Sequence, residues 1–193
     1  MKRLFDFIAS LLGLIILSPI FIIIALFVCF GSKGGMFYKQ IRVGKGDKDF
    51  KVYKFRSMII DADKDGLLSI GRDGRDPRVT KIGYILRRYK LDELPQLINV
   101  LKGEMSLVGP RPEVRKYVDL YNNEQKEILK YRPGITDIAS ISFRNENDLL
   151  AQSSNPEQYY IEEIMPQKIA LSLEYIKTRT FIKDIKLILK TIF

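Results

Sequence analysis

From Phe7 to Phe30 the chain carries no charged residue, and Ile, Leu, Phe, Val and Ala fill most positions. An apolar run above about 18 residues normally reads as a membrane segment. It is longer than the about 7–15 apolar residues of a signal peptide, and no small-residue cleavage site follows it, so the segment is expected to stay with the chain. Pro19 interrupts the run. Lacking an N–H and clashing with the carbonyl four residues back, it predicts a kink near Ser18-Pro19. The Ser18 hydroxyl could satisfy a backbone group that lipid cannot. Lys2 and Arg3 precede the run, while Lys33, Lys39 and Arg42 follow it, so the positive-inside rule draws both flanks to the cytoplasm. A re-entrant hairpin of two half-helices, broken at Ser18 and Pro19, satisfies both observations. A kinked single span is the alternative, and pattern alone leaves it open.

The net charge of +9 is unevenly placed. Residues 33–58 hold eight basic and two acidic side chains, and residues 177–190 hold five basic and one acidic. Basic patches beside an apolar segment suit anionic lipid head groups or phosphorylated ligands. In the tail, Phe181, Ile182, Ile185, Ile188, Leu189, Ile192 and Phe193 recur at helical spacing opposite Lys183, Lys186 and Lys190. That pattern fits an interfacial helix or an ordinary helix closing the core, and the period does not choose.

Between the ends, residues 36–43 and 50–55 are β-prone runs around Gly44-Lys45-Gly46-Asp47, which predicts a hairpin. Residues 61–78, rich in Asp, Gly and Arg, read as a loop. Helices are expected over 79–90, 91–101, 114–131 and 157–178, with Gly103 as a stop, Ser106–Glu113 as a compact turn segment and Arg132-Pro-Gly134 as a turn. The expected class is α+β, mostly helical: an N-terminal re-entrant membrane helix-break-helix, a small β-hairpin and several amphipathic interfacial helices.

Chemistry has a narrow field. No His is present, which removes imidazole bases, His-ligated zinc and every Ser-His or Cys-His pair. The single Cys excludes an internal disulfide, and neither GxxxxGK[ST] nor GxGxxG occurs. Asp92-Glu93 precedes Pro95, which places the pair in an opening helical turn. A carboxylate there would stay ionised, as a nucleophile or Mg²⁺ ligand, although such acids are more often simple caps. Arg111 is held between Pro110 and Pro112, pre-organised for phosphate or merely a solvated turn residue. Lys54 and Arg56 fall on one strand face, to meet phosphate or water. Arg87, Arg88 and Lys90 lie just before the acidic pair.

Taken in order, the break at Ser18-Pro19, Tyr53-Lys-Phe-Arg-Ser-Met58, Leu91-Asp-Glu-Leu-Pro-Gln96, Asn99-Val-Leu-Lys-Gly103, Met105-Ser-Leu-Val-Gly-Pro-Arg-Pro112 and Arg132-Pro-Gly-Ile-Thr136 resemble the bacterial sugar transferases, the small monotopic phosphoglycosyl transferases. The resemblance runs along the whole chain and is to the family's minimal catalytic unit. It implies transfer of a sugar 1-phosphate from a UDP-sugar to polyprenyl (undecaprenyl) phosphate, releasing UMP at the cytoplasmic face of the inner membrane. This is the committing step of many glycan pathways (exopolysaccharide, capsule, O-antigen, glycoprotein). It further implies Mg²⁺, a covalent phosphosugar on Asp92, and Glu93 as partner carboxylate, with Asp92 and Glu93 both candidate metal ligands. Lys54, Arg87, Arg111 and Arg144 fall on family positions near the phosphates or nucleotide, and Arg56 joins them as a phosphate-binding candidate from its strand position. Residues 1–32 would be the membrane hairpin and 33–193 the membrane-associated catalytic domain. Membrane lipids are expected partners, nucleic acid is not, and a homodimer stays open. One stretch departs from the family: where many relatives have Gly-Leu-Ala-Gln-Val-Asn-Gly-Arg, this chain has Asp137-Ile-Ala-Ser-Ile-Ser-Phe-Arg144, which puts substrate identity rather than reaction class in question. The competing reading is a non-enzymatic, membrane-anchored module for anionic lipid or nucleic acid, which would not need Asp92, Glu93 and Arg111.

Overall fold

The computed structural model describes residues 2–64, 66–71 and 76–192. Positions 65 and 72–75 of the expected loop and Phe193 of the tail stripe lie outside the described residues, as does the side chain of Ile192.

Helices α1 (Lys2–Ile16) and α2 (Ser18–Gly31) meet at an angle of 63°. The Ser18 hydroxyl donates to the Ile15 carbonyl at 2.8 Å, and Pro19 sits in the first turn of α2, where its missing N–H costs nothing. Among the described residues no single helix is long and apolar enough to cross a membrane; only this bent pair together has the required length and composition. Most large apolar side chains of the pair point outward, among them Ile8, Leu12, Ile15, Ile22, Phe27 and Phe30. One stripe of α1 does the opposite. Arg3 donates to the Val100 and Leu101 carbonyls, Asp6 accepts from the Ser106 hydroxyl at 2.9 Å and from the Leu107 N–H at 3.2 Å, and Ser10 is buried.

The hairpin forms as expected, β1 (Phe37–Val43) antiparallel to β2 (Asp49–Phe55), in register from Phe37 opposite Phe55 to Val43 opposite Asp49. Phe55 packs with Ile24, Val28 and Leu86, joining the hairpin to α2 and to α3 (Lys81–Arg88). Thr80 caps α3 by accepting the Gly83 N–H at 3.0 Å. Gly83 is required there, because a Cβ would fall 1.9 Å from the Ser57 carbonyl oxygen.

The segment 91–101 is not one helix. Lys90 takes a left-handed conformation (φ 58°), Leu91–Glu93 form a separate 3₁₀ turn, and α4 spans Gln96–Lys102 after Pro95. Gly103, at φ 86°, ends α4 as expected. Asn99 on α4 is fully buried; its amide accepts the Tyr53 N–H (3.0 Å) and donates to the Lys51 carbonyl (2.7 Å), so one side chain serves the open edge of β2 as a neighbouring strand would.

The turn segment after Met105 contains a strand. β3 (Ser106–Val108) pairs in parallel with β4 (Gly134–Thr136), so Arg132-Pro-Gly134 leads into sheet rather than a free turn. The pairing needs two glycines in contact: a Cβ on Gly134 would lie 2.1 Å from the Gly109 nitrogen. The helix expected over 114–131 shrinks to α5 (Arg115–Val118) and a 3₁₀ turn, Gln125–Lys130. Asn122 and Gln125 exchange side chain–backbone hydrogen bonds, both 2.9 Å, which satisfy the backbone locally and compete with a continuous helix. Then follow α6 (Ile138–Ser142), α7 (Glu146–Gln152) and α8 (Pro156–Tyr159), which continues through a π-turn into α9 (Met165–Thr178). These helices enclose the main core around Val108, Tyr117, Leu150, Ile164 and Ile169.

The tail helix α10 (Phe181–Ile192) closes on the body with one face and leaves an apolar and basic face exposed. Asp184 and Leu187 are buried against the body, with Asp184 paired to Lys2 and accepting the Tyr175 hydroxyl. Phe181, Ile182 and Leu189 remain exposed beside Lys183, Lys186 and Lys190.

Candidate active site

All seven sequence-derived site residues, Lys54, Arg56, Arg87, Asp92, Glu93, Arg111 and Arg144, line one cavity of about 310 Å³. It lies between the hairpin, the α3–α4 connection, the Pro-Arg-Pro segment and α6–α7.

The two acids, adjacent in sequence, are unlike in environment. Glu93 is clasped by both guanidinium nitrogens of Arg111 and lies 3.7 Å from the Lys54 ammonium. Burial pushes its carboxyl up, but Arg111 and Lys54 outweigh this and hold it well below the usual carboxylate range. Asp92, 6% exposed, accepts no hydrogen bond from any described residue and opens on the cavity. Burial, then the charge of Glu93, raise its pKa; Lys54, Arg87 and Lys90 oppose them. The expected opening helical turn is a separate 3₁₀ turn, Leu91–Glu93, which offers Asp92 no long helix dipole. Burial likewise lowers Lys54, to about 8.

The cations are held rather than free. Arg111 owes its position to its clasp on Glu93 and to its backbone N–H, which donates to Asp137 at 3.3 Å. Arg87 donates to Ser57 (3.2 Å) and Ser69 (2.7 Å). Arg56 is mainly a clasp, donating to the Gly35 and Phe37 carbonyls while its edge reaches the cavity. Arg144 donates to the Lys190 carbonyl at the end of α10.

Sequence reading missed the far wall. Arg42 pairs with Glu113 at 2.9 Å, Tyr160 donates to Glu113, and Lys168 pairs with Glu146 at 2.7 Å. The one available signal was Glu113 directly following Pro-Arg-Pro; its partners lie far away in the chain. Burial drives the Glu113 carboxyl up, yet Arg42, Lys168, Tyr160 and the Val114 N–H together hold it below the ordinary glutamate range. A depressed folded-state pKa contributes stability above the unfolded value of about 4.3, which disappears as pH falls through the folded value. Thermal melts over roughly pH 3 to 7 are therefore expected to show Glu113→Gln less stable than the parent at neutral pH, with the gap closing in acid.

Among the described residues no group of three or more metal-ligating side chains occurs. Asp92 and Glu93 supply two adjacent carboxylates beside Lys54, Arg87 and Arg111. Arg111 takes one lone pair on each Glu93 oxygen and leaves the others available.

A carboxylate without a hydrogen-bond partner among the described residues, facing a cavity lined by held cations, is an arrangement compatible with group transfer on phosphorylated substrates. Over residues 1–193 the sequence matches the family model described as bacterial sugar transferase, and the chain belongs to that family. It is 34% identical to exopolysaccharide production protein ExoY of Rhizobium meliloti, over 99% of this chain and 83% of that protein. It is 40% identical to a UDP-glucose:undecaprenyl-phosphate glucose-1-phosphate transferase of Klebsiella pneumoniae, over 100% of this chain but only 39% of that protein. It is also 41% identical, over 72% of this chain and 33% of the relative, to the UDP-N-acetylgalactosamine-undecaprenyl-phosphate N-acetylgalactosaminephosphotransferase of Aeromonas hydrophila. Membership in a family of transferases displaces the reading of a non-enzymatic module.

Proposed function

We propose that this enzyme transfers a sugar 1-phosphate from a UDP-sugar to polyprenyl (undecaprenyl) phosphate and releases UMP, starting a glycan pathway. The names of the Klebsiella and Aeromonas relatives support both substrates. The observation that carries the mechanism is the division of labour between Asp92, facing the cavity without a hydrogen-bond partner among the described residues, and Glu93, bound by Arg111 and Lys54.

In the first step an Asp92 carboxylate oxygen attacks the phosphorus bearing the sugar. The bond from that phosphorus to the bridging oxygen breaks, and UMP departs with the electron pair. In the second step a polyprenyl phosphate oxygen attacks the same phosphorus, freeing Asp92 and forming polyprenyl-diphosphate-sugar. Splitting the transfer allows the two phosphate substrates to use one pocket in turn. Arg87, Lys54 and Lys90 neutralise the diphosphate, Arg111 keeps Glu93 ionised and in place, and Arg144 borders the entry. Mg²⁺ is commonly held by one or two carboxylates together with substrate phosphates and water, a donor set that Asp92 and Glu93 suit; when bound it supplies charge neutralisation at the diphosphate. UMP release from a panel of UDP-sugars tests the reading. It is expected to need polyprenyl phosphate for repeated turnover and to stop when a chelator removes Mg²⁺, whereas release that persists without divalent metal would remove Mg²⁺ from the scheme.

The α1–α2 pair enters one leaflet as a re-entrant hairpin. Its 63° bend and outward apolar surface support this, as does the fixing of Arg3 and Asp6 on α4 and β3. Reporter tags at the two termini are expected on the same, cytoplasmic, side of the inner membrane; a periplasmic N-terminus would establish a kinked span.

A further inference from the structure

The cavity lining carries charge in two arrangements. Around Asp92 the cations Lys54, Arg87 and Lys90 outnumber their acidic partners, which suits a diphosphate. Elsewhere in the lining the charges come in pairs, Arg42 with Glu113 and Lys168 with Glu146. Paired charges offer little to a phosphate but retain spare lone pairs and N–H groups for a neutral, hydroxyl-rich ring. Phe143 adds an apolar edge beside them.

Ser140 lines the same cavity, and among the described residues its hydroxyl is the one buried side-chain polar atom with no hydrogen-bond partner. Its backbone, in contrast, is firmly placed. Asp137, 1% exposed, accepts the Ser140 N–H at 2.7 Å, the Ser172 hydroxyl at 3.1 Å and the Arg111 N–H at 3.3 Å, so one carboxylate sets α6 relative to the site arginine. A buried hydroxyl left unpaired costs about 1–3 kcal/mol, and such groups in native proteins usually serve a ligand or an ordered water. A serine hydroxyl needs only rotation about χ1 to reach a new partner.

Resting on the reaction proposed above, we infer that Ser140 is a specificity-determining residue: its hydroxyl bonds a polar substituent of the sugar, whose ring sits against the charge-paired wall.

The test uses the full-length enzyme, its preferred UDP-sugar from the panel, and UMP as an inhibitor that lacks the sugar. Ser140→Ala is expected to lower kcat/KM for that donor about tenfold, the effect of one lost hydrogen bond to substrate. UMP inhibition is expected to stay unchanged, and preference among UDP-sugars to narrow. The variant is expected to melt no lower than the parent, because a methyl group replaces an unpaired buried hydroxyl; Ser140→Thr, which keeps a hydroxyl, is expected to retain the parental preference. An unaltered kcat/KM across the panel would mean that water satisfies the hydroxyl and would overturn the inference. So would equal weakening of donor and UMP, the mark of general distortion. If the unsubstituted enzyme released no UMP from any UDP-sugar, the reaction itself would fall, and this inference with it.

Discussion

Asp92→Asn is expected to reduce UMP release by at least about a thousandfold, since an amide of the same shape supplies no nucleophilic oxygen. Asp92 has no hydrogen-bond partner among the described residues, so the substitution removes reactivity without breaking a contact. Burial beside Glu93 also makes its negative charge costly in the folded state, and removing that charge should leave the melting temperature equal or higher. Loss of activity without loss of stability is characteristic of a functional residue kept against the interest of the fold. Intact-mass measurement of rapidly quenched enzyme supplies the second readout: a phosphosugar adduct on the parent and none on the variant. Near-normal turnover by Asp92→Asn would eliminate this side chain as nucleophile.

Arg111→Ala should fail differently, losing both stability and activity. It strips Glu93 of its clasp and leaves a buried carboxylate facing Lys54 alone at 3.7 Å. Breaking a buried ion pair costs about 3–5 kcal/mol. The lower end, about 3 kcal/mol, is expected here because Lys54 remains and the Arg111 side chain is 32% exposed on the cavity. Denaturant titration checks the stability loss, and UMP release should fall by at least about a hundredfold as the site loses its fixed geometry. Arg111→Lys, keeping charge but not the planar fork, should recover more stability than activity. Unchanged melting in Arg111→Ala would show that Glu93 does not depend on the clasp.

The features legible in the sequence are those with local causes. The break at Ser18-Pro19, the hairpin around Gly44-Lys45-Gly46-Asp47, the 79–90 and 157–178 helices and the Gly103 stop each follow from a nearby breaker or period. Lys54, Asp92, Glu93 and Arg111 were found because they stand in compact motifs and Arg87 because it lies just before the acidic pair, and the fold gathers them in one cavity. What could not be read depends on distant partners. β3 and β4 have three residues each and no period of their own, and they pair because Gly109 and Gly134 permit close approach. Arg42 meets Glu113 across 71 positions of sequence, with no local sign. The 91–101 segment misled because its apolar spacing is helical, whereas Lys90 turns left-handed and separates the Asp92-Glu93 pair from α3, and Leu94-Pro95 separate that pair from α4.

The polar stripe on α1 has a practical consequence. Arg3 closes the carboxyl end of α4, and Asp6 supplies an acceptor to β3, the strand that runs into Gly109-Pro110-Arg111. The first turns of α1 are therefore part of the scaffold that carries the guanidinium of Arg111. A shortened chain without them, or a chimera with a foreign hydrophobic tail grafted in their place, would leave Ser106 and Leu107 unserved. Efforts to obtain a shorter enzyme by trimming this end should yield a damaged catalyst, so preparations that keep α1 whole are the sounder route.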